Sequence, residues 1–113
     1  GGGTGESLAS SGEKLFQELS CSTCHRPDSG GRGPVLDGLF GRTVSLAGGG
    51  SVAADEAYLR ESIVNPQAKV VAGYQPLMPT FQGLVSEEGL LQLIAYIKEL
   101  RAASPPGTGQ PGQ

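Results

Sequence analysis

An all-α fold with long loops between its helices is predicted by two observations. Three stretches carry apolar residues at helical spacing, one near each end of the chain and one between them, and no stretch shows convincing strand alternation. Most of the 19 glycines and 8 prolines fall between or outside those stretches, where they break regular structure.

In chain order, GGGTGES has the composition of a flexible spacer, and residues 1–9 are expected to form a linker. SGEKLFQEL follows, with Ser10 or Ser11 as N-cap; it sets Leu15, Phe16 and Leu19 on one face and runs straight into Cys21. SLAGGGSV offers at most a short turn or hairpin. ADEAYLRESIVNP opens on Asp55 as a cap and places Leu59 and Ile63 four apart. It ends at Asn65-Pro66, because a residue before proline is pushed out of the helical region. SEEGLLQLIAYIKELRA is the strongest helix: Ser86 caps it, Glu87 and Glu88 favour its positive end, and Leu90, Leu93, Ile94, Ile97 and Leu100 form a stripe. SPPGTGQPGQ closes the chain, so that one domain over 10–103 is followed by a disordered Gly/Pro-rich tail over 104–113.

Such a chain has little with which to build a core. Apolar residues make up 37% of it and tryptophan is missing, while ordering each residue's backbone costs about 1–2 kcal/mol. Something besides side chains is expected to fill the middle. A net charge of −3 with no basic run argues against nucleic acid or an anionic membrane surface as partner. No apolar stretch reaches the roughly 18–20 residues needed to span a bilayer and no signal peptide is read, so the chain is expected to be soluble, either mature or excised. Paired carboxylates, a nucleophile with its base and a phosphate loop are not found in the sequence, so the polypeptide in isolation is read as non-enzymatic.

The chemistry is concentrated in CSTCHRPDSGGRGP, which holds both cysteines and the only histidine within the five positions from Cys21 to His25. A structural zinc site wants four tetrahedral ligands, and the chain offers three donors with two of them adjacent. A thioredoxin-like dithiol sits beside a parallel sheet, and no βαβ pattern supplies one. A Cys21–Cys24 disulfide would close too short a loop to constrain the unfolded chain much. CxxCH fits a covalent haem, with thioethers to Cys21 and Cys24 bringing His25 beneath the iron; the porphyrin would then supply the missing apolar body. The sixth ligand cannot be a second histidine. Met78, the single methionine, sits between Pro76 and Pro79 in a helix-free stretch suited to holding a thioether, with Lys69 or an open position as the alternatives.

At these residues the chain resembles the class I cytochromes c, from Gly12 to Leu100. The resemblance implies N- and C-terminal helices crossing around a covalently bound haem, with Gly12, Phe16 and Tyr96 near the crossing. In GPVLDGLFGR it implies that the Pro34 carbonyl accepts a hydrogen bond from His25, that Leu36 and Leu39 wall the haem, and that Arg42 approaches a propionate. A hydrogen bond of that kind fixes the tautomer and orientation of a ligating histidine. The run ADEAYLRESIVNPQAKVVAGYQPLMPTF followed by SEEGLLQLIAYIKEL is similar to the cytochrome c domain of subunit II in caa-type haem-copper oxidases. That resemblance implies electron transfer from a soluble redox protein to the copper centre of the parent subunit. It implies a place on the extracytoplasmic face of the bacterial membrane, tethered through that subunit. A free-standing cytochrome c, or a gas-binding or peroxidatic haem protein with an open sixth position, are the other functions the sequence admits.

Overall fold

The computed structural model describes residues 7–26 and 30–100. Residues 1–6 of the expected linker and the whole 104–113 tail lie outside them.

The first helix, α1 (Leu8–Glu18), begins earlier than SGEKLFQEL suggests. Its cap is Ser7, whose hydroxyl accepts from the Ser10 N–H at 3.0 Å, and Leu8 and Ala9 join the helix. Ala9 is buried, which rewards the extra turn and takes these two residues out of the linker. Ser20, in the left-handed region at φ 64°, turns the chain out of α1 into a short helical turn, α2 (Cys21–Cys24). Four residues are too few for helical periodicity to mark that turn in the sequence.

A two-stranded antiparallel hairpin follows, β1 (Thr43–Ser45) and β2 (Ser51–Ala53), in the register Thr43↔Ala53, Val44↔Val52, Ser45↔Ser51. It occupies the SLAGGGSV region and adds a small sheet to an otherwise helical domain. Helix α3 (Glu56–Val64) is capped by Asp55, which accepts from the Tyr58 N–H at 2.8 Å, and stops at Asn65 before Pro66. Helix α4 (Glu87–Glu99) is capped by Ser86, whose hydroxyl accepts from Gly89 at 3.0 Å.

Of the expected stripe, Leu90, Leu93, Ile94 and Ile97 are buried, Leu93 almost completely at 1% exposure, while Leu100 is the C-cap and only partly buried against the same core. Each such side chain contributes on the order of 1.5–3 kcal/mol. Against the stripe lies α1, and the ring centroids of Phe16 and Tyr96 are 5.3 Å apart at the contact. Gly12 permits the approach: a Cβ there would lie 1.9 Å from the Gln92 carbonyl oxygen. Phe16, Leu36, Val44, Tyr58, Leu59 and Ile63 extend the same core to the loop and α3. Among the described residues no helix is long and apolar enough to cross a membrane.

Candidate haem site

One cavity of about 510 Å³ lies between the helices and the loops, and its walls are mostly apolar. Leu93 and Ile97 of α4, Phe16 and Leu19 from the α1 end, Leu59 and Ile63 of α3, and Val44 of β1 all face it. The inward side chains of the helices therefore serve as core and as cavity wall together.

Cys21 and Cys24 line the cavity from α2 and are not joined to each other. Burial pushes the Cys21 thiol up; a backbone hydrogen bond opposes this and nearby Cys24 adds to it. His25 stands at the end of that helical turn, its backbone N–H bonded to the Cys21 carbonyl at 3.0 Å. Its Nδ1–H donates to the Pro34 carbonyl at 2.8 Å, so Nε2 is the nitrogen left with a free lone pair. Burial holds the imidazole below its ordinary pKa, with the bond to Pro34 opposing, and the neutral ring is the form that ligates metals. Gly33 lies against this ring: a Cβ there would meet Cε1 at 2.7 Å and Nδ1 at 2.9 Å. Glycine is needed because backbone and imidazole share that space.

Met78 lines the same cavity from the loop that follows α3, in company with Pro76, Leu77 and Pro79. Pro34, Leu36 and Leu39 also line it. Arg42, assigned to a propionate by resemblance, does not: it is exposed and outside the lining, and its backbone bonds to Leu39 and Ala54. The arginine at the cavity is Arg32, two residues before Pro34, and its closeness in sequence to the residue that holds His25 is the signal that marks it. Sequence reasoning also passed over Tyr58 and Ser62, one turn apart on α3, which bring hydroxyl groups to an apolar surface. Lys69, the alternative sixth ligand, reaches the lining with its Nζ 2.6 Å from Glu61 Oε1.

These features suit a haem better than a bare ion. The donors at the cavity are one imidazole nitrogen and one thioether, with two thiols beside them and an apolar wall around, a set that suits an iron held in a porphyrin. The family model for cytochrome c matches residues 9–101. The chain belongs to the cytochrome c family. It is 34% identical to the cytochrome c of Gossypium barbadense over 83% of this chain and 91% of that protein. It is 35% identical to the cytochrome c2 of Blastochloris viridis over 83% and 79% of the respective chains. It is 32% identical to a cytochrome c2, iso-1, of Magnetospirillum fulvum over 72% and 91%.

Members of the cytochrome c family carry one covalent haem c, and Cys21, Cys24 and His25 provide the CxxCH arrangement for it. The fold is that of the class I cytochromes c, and the function is haem-based electron transfer with a redox protein as partner. Such a protein is an electron carrier and not an enzyme.

Proposed function

We propose that this cytochrome c domain relays single electrons through a haem ligated by His25 and Met78, from a soluble redox donor to the copper centre of a haem-copper oxidase. The haem supplies the reversible one-electron change; the chain's residues hold and shield it. His25, fixed through Nδ1 to Pro34, offers Nε2 on one side of the cavity, and Met78 supplies a thioether from the loop after α3. Cys21 and Cys24 would anchor the vinyl groups, Leu36 and Leu39 would exclude water, and Arg32, which lines the cavity, is a candidate propionate partner beside the expected Arg42.

The oxidase reading rests on the resemblance, stated above, of the stretch from Ala54 to Phe81 followed by Ser86 to Leu100 to the cytochrome domain of caa-type subunit II. The character of the rim agrees with it. Of the expected apolar patch, Val71, Tyr74, Leu77 and Pro79 border the cavity while Ala72 is exposed outside its lining; Leu77 is 52% exposed, and the nearby Lys69 is engaged by Glu61. A second reading, a free-standing carrier, is favoured by the relatives themselves, since the match extends over most of the length of proteins called cytochrome c and c2. Either carrier would work on the extracytoplasmic side of a bacterial membrane, where thioether attachment of haem is made.

Stopped-flow mixing of the reduced holodomain with a copper-loaded oxidase subunit II, together with the full gene sequence, separates the two readings. Rapid oxidation and an upstream cupredoxin segment are expected for the oxidase relay. Neither would be found for a free-standing carrier. Recovery of the native protein from the cytosol would overturn the extracytoplasmic placement.

A further inference from the structure

Helix α3 ends with acceptors that the helix itself cannot satisfy. The Asn65 N–H takes the Glu61 carbonyl, and Pro66 has no N–H to offer the next one. The last carbonyls are instead met from the loop that carries Met78. The Phe81 N–H donates to Ile63 O at 3.1 Å, and the Thr80 hydroxyl donates to Val64 O at 2.6 Å. The same hydroxyl accepts from the Gln82 N–H at 3.1 Å, so it joins the helix end to the far side of the loop. On the near side, Gln67 Nε2 donates to Pro76 O at 3.3 Å. Met78 thus has an anchor two residues before it, to Gln67 in the turn just beyond α3, and another two residues after it, to Val64 at the C-terminal end of α3.

We infer that Gln67 and Thr80 are positioning residues, a pair of hydrogen-bonded clamps that hold the Met78 loop against α3 and so set how well Met78 competes with other ligands for the iron. The inference rests on the ligation of iron by Met78 proposed above. A thioether binds iron weakly, and its occupancy depends on how little freedom the loop has when the bond breaks. Proline on either side of Leu77-Met78 stiffens the segment, while the clamps fix its ends. Of the two, Thr80 makes the shorter bond and serves two partners, so it carries more of the effect.

The test is a titration of the ferric holoprotein with imidazole, followed by loss of the weak near-red band of Met-ligated ferric iron. Thr80→Val, close in shape but without donor or acceptor, is expected to bind imidazole about two- to tenfold more tightly than the wild type. Thr80→Ser, which keeps the hydroxyl, restores the wild-type affinity, and Gln67→Ala gives a smaller gain of about twofold. A purely structural role would lower the denaturant midpoint of Thr80→Val and leave imidazole affinity unchanged, and that result overturns the inference. If Thr80→Val does not mature, an unchanged affinity in Gln67→Ala overturns it equally. Absence of the near-red band from the wild type removes Met78 as ligand and the inference with it; a wild type that shows the band alongside unaltered variants refutes only the clamps.

Discussion

Gly12 and Gln92 meet backbone to backbone: a methyl group on Gly12 would sit 1.9 Å from the Gln92 carbonyl oxygen and 2.9 Å from the Tyr96 Cβ. By intrinsic helix preference, Gly12→Ala within α1 would gain about 1 kcal/mol. The clash reverses that sign, because backbone cannot move aside as a flexible side chain would. A net destabilisation on the order of 3 kcal/mol is expected, measured as a lower urea midpoint of the holoprotein. An unchanged midpoint would mean that α1 slides along α4 without cost.

Gly33→Ala presses on the His25 ring. The haem is expected to stay attached, as mass spectrometry of the holoprotein will show, while the ligand field and reduction potential shift because the imidazole turns away from Pro34. Identical spectra and potential for the variant would remove Gly33 from the support of His25.

Met78→Ala is expected to leave haem covalently bound and to give high-spin or water-ligated iron that takes up carbon monoxide, with a lowered potential, since a thioether favours the ferrous state. His25→Ala should abolish maturation, and losing either Cys21 or Cys24 should reduce attachment. An unaltered spectrum in Met78→Ala would point to Lys69 or an open position.

Arg60 grips Glu87 through two hydrogen bonds, 2.9 Å and 2.8 Å, between α3 and the first turn of α4. The bond to Arg60 holds the Glu87 carboxyl below its ordinary value. A depressed carboxylate contributes stability that is present above its unfolded pKa and is lost as pH falls through the folded one. Glu87→Gln should therefore lose a small increment of stability near neutrality and show a shallower acid-induced fall below about pH 4.5. Both groups are exposed, so added salt should shrink the difference between variant and wild type in thermal melts. A difference that salt leaves untouched would argue against an ionic origin.

Electron transfer with the physiological donor should change little with ionic strength. The rim residues Val71, Tyr74, Leu77 and Pro79 are apolar or neutral, and Lys69 is paired with Glu61. Val71→Asp or Leu77→Asp is expected to slow reduction in stopped flow more than Lys69→Ala does. A steep fall of rate with salt, joined to a large Lys69→Ala effect, would show that charge steers the encounter.

What the sequence disclosed depended on how local the determining physics was. Asp55 and Ser86 were legible as caps because each acts on an N–H three residues ahead and little competes with it. Ser7 was not, since Ser10 and Ser11 look equally able and only the burial of Ala9 against the rest of the fold decides between them. The hairpin was indistinct because three residues per strand are too few for alternation to register. At the site, Cys21, Cys24 and His25 declare themselves by adjacency, and Met78 by being the single methionine. Arg32 lines the cavity and Arg42 lies exposed outside the lining, a difference made by the path of the loop between them, which local sequence does not encode. Tyr58 and Ser62 share a helix face that periodicity marks as buried without saying against what.

The crossing of α1 and α4 brings together the first and last helices of the domain, and the contact between them is the most extensive between any two of its elements. The fold is therefore closed like a clasp, end to end, with everything else strung between. Its tolerance of change should be uneven in consequence. Lengthening the glycine turn at 48–50 extends a chain segment already closed by the clasp, and each doubling of such a loop costs only about 0.6 kcal/mol. Trimming a single turn from either outer helix opens the ring itself, and takes with it the wall that Phe16, Leu93 and Ile97 give to the haem cavity.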